Sequence, residues 1–258
     1  MASVVAGTRK GVIVLGGSAI GVAIAKSFID NGYDVSGIAR DDPVSNEFGR
    51  WYQADCADSS MAGAAVEAAC GDMGRLDALV LAAATMPVAP ASQTTDEEWA
   101  RALDDSLTSA FYVLRASLPR MSRGGSITAV GSTNSFLAAP GLAAYAAAKA
   151  GLDGLIRQVA LDYGPLGVRA NIVAPALVRN GEGGAIAAGY PLGRVGRPDD
   201  VARAVFFLAS SDADFITGVT LPVDGGLSMA SPSAFLQPHL RERLPGSLDA
   251  VRTMGATP

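Results

Sequence analysis

From Gly11 to about residue 225 the chain alternates short apolar runs rich in Val, Ile and Leu with longer segments of helical periodicity. This alternation constrains the fold more than any other feature. Strands buried on both faces of a parallel sheet read as continuous apolar runs, and each parallel step needs a crossover long enough for a helix. The pattern predicts strands at 11–15, 34–38, 77–82, 125–130, 168–173 and 219–223, and helices at 19–31, 59–71, 95–121, 142–163 and 198–210. The expected class is α/β: a doubly wound parallel sheet, Rossmann-like, in a single domain over residues 1–228. Its crossovers should be right-handed and its ligands should sit at the carboxyl ends of the strands. Thirty glycines and an aromatic content of only 6% suit close contact between helices and sheet.

Two boundaries carry their own chemistry. Thr95 followed by Glu98 has the spacing of a reciprocal helix-capping box, and Asp199 and Asp200 suit the first turn of a helix opened by Pro198. Residues 179–195 are rich in Gly and small side chains without a period, which fits either a substrate lid or a plain surface loop. Beyond Met229 the prolines 232, 238, 245 and 258 interrupt a C-terminal extension, 229–258. Its Leu236, Leu240 and Leu244 could form one helical face over the substrate or a neighbouring subunit, the alternative being a loosely ordered terminus.

The net charge of −5 and the absence of a Lys/Arg run give no footprint for nucleic acid, which is not an expected partner. Cys56, Cys70 and the single His239 are too few and too scattered for a metal site, and none is expected. The longest apolar runs, 78–84 and 205–209, fall far short of the roughly 20 residues of a membrane helix. Met1–Lys10 lacks the long apolar segment of a secretory signal. A soluble, cytoplasmic protein is expected.

Gly16, Gly17 and Gly21 follow the first strand and precede a helix. There glycines let backbone amides approach a pyrophosphate, although a tight turn with no ligand has the same composition. About 20 residues later the second strand ends in Ala39-Arg40. An acidic residue at that point would hold the ribose hydroxyls and repel a 2′-phosphate. Arg40 instead offers a charged, fork-shaped donor, which favours NADP (NADPH) with NAD as the alternative. A solvated Arg40, or one paired with Asp41 or Asp42, would leave this preference open.

Tyr145 and Lys149, four apart in an Ala-rich helix, emerge on one face a turn apart. A phenol titrates near 10, and an adjacent ammonium is expected to bring it towards the range of general acid/base work. Ser132, at the end of the preceding strand, could hold a substrate oxygen. A Tyr-x-x-x-Lys pair taken alone is common on protein surfaces.

Tyr145-Ala-Ala-Ala-Lys149 with Ser132 thirteen residues upstream resembles the Ser, Tyr, Lys arrangement of the short-chain dehydrogenase/reductase family. Asn171-x-x-x-Pro175, Pro191-Leu-Gly-Arg-Val-Gly-Arg-Pro198, Thr217-Gly218 and Val223-Asp-Gly-Gly226 are similar to further segments of that family, so the resemblance covers about residues 10–228. It is nearest to the 3-oxoacyl reductase and hydroxysteroid dehydrogenase branch. The resemblance implies a third strand ending at Gln53 and an NAD(P)-dependent oxidoreductase interconverting a secondary alcohol and a ketone by hydride transfer. It also implies a homotetramer or homodimer, with 95–121 and 142–163 as the pairing helices.

By the same resemblance Tyr145 handles the proton, Ser132 orients the substrate, Lys149 also bonds the nicotinamide ribose, and Ser106 stands in the proton relay. The cofactor would meet Gly16, Gly17, Ser18, Ile20 and Gly21, then Arg40, Asp55 at the adenine, Ala82 and Ala83, and Pro175, Ala176 and Val178 at the nicotinamide. The chain departs from the family at several points. Its glycine loop is one residue shorter, with Ala19 for the middle glycine. Leu81-Ala82-Ala83-Ala84 replaces Asn-Asn-Ala-Gly, Ser106 replaces an Asn, Ala176 replaces a glycine, and Asn180 stands near a family threonine. These departures keep two other readings in view: a nucleotide-binding protein impaired in turnover, and imine or double-bond reduction or epimerisation on the same scaffold. Met86, Pro87, Phe136, Leu137, Leu142, Ala176, Leu177 and Ile186 are candidates to line a pocket for a neutral, largely apolar substrate.

Overall fold

A computed structural model describes residues 10–180 and 187–244. Seven strands form one parallel sheet: β1 Gly11–Leu15, β2 Asp34–Ala39, β3 Arg50–Gln53, β4 Leu76–Leu81, β5 Met121–Val130, β6 Arg169–Pro175 and β7 Thr220–Val223, in the order β3-β2-β1-β4-β5-β6-β7. The chain runs outward from β1 in both directions. Leu15 is therefore in register with Ile38 on one side and Leu81 on the other, and a crevice opens where the strand order reverses.

Side-chain alternation splits the core into two layers. Ile13 and Leu15 face one side with Leu79, Leu81 and Ile127, under α2 (Ser59–Met73), α4 (Ser109–Ser117) and α5 (Ala143–Tyr163). Val12 and Val14 face the other side with Val80 and Val173, under α1 (Ala19–Asp30) and α6 (Pro198–Ala209). Both sets of β1 side chains are 2% exposed or less, which is why this strand reads as an unbroken apolar run.

Three expectations are refined. Sequence periodicity passes over β3, a short edge strand whose residues are half-buried or exposed. Its Trp51 lies across Gly37 of β2, where a Cβ would come within 2.4 Å of the indole. The helix expected over 95–121 is present from Asp96 to Arg120 but is not α-helical throughout. α3 (Asp96–Leu103), opened by the Thr95–Glu98 capping box, gives way to a π-helical turn at Asp104–Thr108 before α4, and the chain is extended again from Met121. In the tail, Pro238 separates α7 (Ser233–Leu236) from α8 (Pro238–Arg241), so the three leucines do not share one helical face. Leu236 and Leu244 are exposed.

The motif residues outside the crevice are structural. Asn171 donates to the Ile216 carbonyl and accepts from the Val219 N–H, binding β6 to the approach of β7. Asp200 accepts from the Arg197 N–H and pairs with Arg194 and Arg203, and chiefly the hydrogen bond from Arg194 holds its carboxyl down to about 2. Among the described residues no helix is long and apolar enough to cross a membrane. Met1, Ile186, Pro245, Pro258 and the middle of the 179–195 loop lie outside the described residues.

Candidate active site

The turn from β1 into α1 is compact because its glycines stand against backbone. Gly16 adopts φ +116° and a Cβ there would lie 3.0 Å from the Ala82–Ala83 peptide. A Cβ on Gly21 would fall 2.1 Å from the Gly16 carbonyl oxygen. Ser18 caps α1, accepting from the Gly21 N–H. The one-residue shortening is met by a strap from the β2–β3 loop: the Val44 N–H donates to the Gly17 carbonyl at 3.0 Å, and Pro43 and Trp51 stand against Gly17.

Two cavities follow the carboxyl edge of the sheet and share Ser18, Ala82 and Ala84. The first, about 290 Å³, takes in Gly16, Gly17, Arg40, Asp55 and Ala83. The second, about 420 Å³, takes in Ile20, Ser132, Tyr145, Lys149, Pro175, Ala176 and Val178. Of the residues expected to meet a cofactor, only Gly21 lines neither cavity; its contact is with Gly16. The shared residues lie beside the N-terminal end of α1.

At the second cavity Ser132 lies two residues beyond β5, at the start of a 3-10 turn over Thr133–Ser135; its hydroxyl accepts from the Asn134 N–H at 3.1 Å and donates to Asn134 Oδ1 at 3.3 Å. Lys149 is 2% exposed; its Nζ donates to the Val130 carbonyl at 2.8 Å and stands 5.7 Å from the centre of the Tyr145 ring. Burial lowers the Lys149 ammonium to about 8. Burial also pushes the Tyr145 phenol above its ordinary value, with the Ser132 hydroxyl pulling the other way. The expected lowering of the phenol by Lys149 is thus not what the structure gives: desolvation dominates both groups.

Of the apolar candidates, Met86, Leu142, Ala176 and Leu177 line this cavity, while Pro87, Phe136 and Leu137 do not. Ser106 lies in the π turn, 1% exposed, and lines neither cavity; its hydroxyl has no hydrogen-bond partner. The turn packs onto α5 through Leu107, which fills the space a Cβ on Gly151 would occupy.

Sequence reasoning missed Thr85 and Asp105 at the first cavity and Asn134 at the second. Arg40 pairs not with its neighbours Asp41 or Asp42 but with Asp105, at 3.4 Å, a contact across 65 residues of sequence. No local pattern signals such a pair.

A family profile described as enoyl-(acyl carrier protein) reductase matches residues 14–228. The chain is a short-chain dehydrogenase/reductase. It is 36% identical over 240 residues to an uncharacterized oxidoreductase of Schizosaccharomyces pombe, covering 86% of this chain and 92% of the relative. It is 31% identical over 242 residues to a 3-oxoacyl-(acyl-carrier-protein) reductase of Chlamydia muridarum, covering 85% and 98%. Among solved structures, a blue fluorescent protein from a metagenomic library in complex with NADPH superposes with a TM-score of 0.79 at 30% identity, covering 85% of this chain and 98% of that one. This short-chain dehydrogenase/reductase is accordingly an NAD(P)-dependent oxidoreductase.

Proposed function

We propose that the protein reduces a neutral, largely apolar ketone to a secondary alcohol with NADPH. The observation that carries this is the convergence of Ser132, Tyr145 and Lys149 on one cavity whose remaining walls are mostly apolar. Arg40 and Asp55 would hold the adenosine end of the nucleotide, Gly16–Ser18 its pyrophosphate, Lys149 the nicotinamide ribose, and Pro175–Val178 the nicotinamide. When bound, the nucleotide supplies the hydride. The Ser132 hydroxyl would hold the substrate oxygen, Tyr145 would give that oxygen its proton, and the Lys149 charge would favour the phenolate left behind. The NADPH complex of the structural relative and the ketone-reducing activity in the name of the Chlamydia relative support the cofactor and the direction. A homodimer or homotetramer through α4 and α5, which expose Phe111 and Leu161, belongs to the same proposal. So does a placement in the cytoplasm.

The test is NADPH oxidation, followed at its absorbance band, against a panel of aliphatic, alicyclic and 3-oxo ester ketones. Turnover to the alcohol supports the reading. Nucleotide binding without turnover of any ketone, or products of imine or double-bond reduction, would replace it.

A further inference from the structure

The adenosine end of the cleft is not a simple anion site. Arg40 is the one cation lining the first cavity among the described residues, against the carboxylates of Asp41, Asp42, Asp55 and Asp105. Its guanidinium reaches across to Asp105, with Nη2 at 3.4 Å from Oδ1 and 3.5 Å from Oδ2, whereas Asp55 is 4.0 Å away. Asp105 is well placed to keep it. The Asp105 side chain is 14% exposed, accepts from the Thr85 hydroxyl, and has Arg101 Nε at 3.6 Å behind it. It comes from the π turn, so its position is fixed by the break between α3 and α4.

We propose that Asp105 is a second determinant of nucleotide choice, acting by holding the Arg40 guanidinium against a carboxylate for which a 2′-phosphate must compete. This rests on the reading of the cleft as a nicotinamide-nucleotide site. A fork-shaped donor binds a phosphate best when its N–H groups are free. Here part of that capacity is spent on Asp105, and a phosphate arriving beside four carboxylates also meets like charge. NADH carries no 2′-phosphate and needs no such exchange. Asp105 therefore narrows the preference that Arg40 alone would give, leaving the natural protein with a modest NADPH preference.

The experiment is a fluorescence titration with NADPH and NADH, repeated by calorimetry with adenosine 2′,5′-bisphosphate and AMP, which probe the adenosine end without the nicotinamide. Four proteins are compared: natural, Asp105→Asn, Arg40→Ala and the double variant. Asp105→Asn keeps the shape and a hydrogen-bonding oxygen for Thr85. It is expected to raise the NADPH-to-NADH affinity ratio by about tenfold, with a matching change for the bisphosphate over AMP. In the Arg40→Ala background the same substitution should change the ratio by less than about threefold, because the residue acts through Arg40. A ratio that stays within about twofold in Asp105→Asn, or an equal gain with and without Arg40, would overturn the proposal. Should Asp105→Asn fold poorly, Thr85→Val releases the carboxylate from its other side and must shift the ratio measurably. Failure of all four probes to bind the natural protein would overturn this inference together with the cofactor reading. Binding with an unmoved ratio would overturn this inference alone.

Discussion

The two halves of the cleft handle charge in opposite ways. At the end proposed for adenosine the Arg40 side chain is 43% exposed, its partners are carboxylates, and the same face carries several of them. At the catalytic end Lys149 is 2% exposed and bonded to a single neutral carbonyl, and its surroundings are mostly apolar. Water and salt screen the first arrangement, so it suits recognition, where many modest contacts are summed. Nothing screens the second, so each charge there costs stability and acts strongly on its neighbours. Recognition and chemistry are separated by dielectric as well as by distance.

Changes at the buried end should therefore have the larger consequences. Removing the proposed proton donor with Tyr145→Phe is expected to lower kcat for the proposed ketone reduction by about 10²–10⁴-fold. Nucleotide affinity should stay within about threefold, since the hydroxyl rather than the ring is lost. A parallel collapse of nucleotide binding would show that the two halves are not separable.

Lys149 sharpens the contrast through pH. Its ammonium titrates near 8, so kcat/KM for the nucleotide, which reports the free protein, should be level below pH 8. It should fall towards tenfold per pH unit as the charge is lost above that point. A profile flat to pH 10 would mean that the Lys149 charge is not used.

The same burial makes Lys149 a stability cost. Its folded pKa lies below the unfolded one, so the unfolded chain binds more protons between pH 8 and 10.5, and stability should rise with pH across that window. Lys149→Met should raise the stability measured by urea unfolding at pH 7 by about 1–2 kcal/mol. The drop from 10.5 to about 8 is worth roughly 3 kcal/mol, and the bare Val130 carbonyl returns about 1 of it. Above pH 10.5, where Lys149 is neutral in both the folded and the unfolded natural protein, only the lost hydrogen bond should remain and the variant should be less stable by about 1 kcal/mol. Loss of stability in the variant at pH 7 would show that Lys149 contributes packing that Met cannot replace.

The smallest effect is expected at Ser106. Its hydroxyl is buried without a partner, so Ser106→Ala should change stability by less than about 1 kcal/mol, in the stabilising direction. Turnover should fall by less than about threefold. A loss beyond tenfold would restore Ser106 to the proton relay that the family resemblance implies.

What the sequence made legible follows the range of the forces involved. β1, α1 and the Tyr145–Lys149 pair were readable because apolar periodicity and four-residue spacing are local. The Thr95–Glu98 box was readable for the same reason. β3 was legible only through the resemblance, which ended a third strand at Gln53, because a four-residue edge strand is too short to show alternation of its own. The break at Asp104–Thr108 was hidden because these residues have no Pro or Gly to mark it. At the site, the residues expected from resemblance line one or other of the two cavities except Gly21 and Ser106. The ionisation of Tyr145 and Lys149 did not follow from spacing, since desolvation depends on everything packed around the pair. Asp105 as the partner of Arg40 depends on two strands and a helix meeting, which only the folded chain determines.

The π turn holds one residue more than an α-helical turn would, and its extra width absorbs that residue, the Ser109 N–H reaching back to the Asp104 carbonyl. Deleting one residue of Asp104–Thr108 should therefore restore an ordinary α-helical turn with α3 and α4 still on their present faces. Asp105, which meets Arg40, and Leu107, which meets Gly151, lie inside the turn and are the residues whose directions would change. The extra residue thus aims side chains from within a helix whose two ends stay where they are.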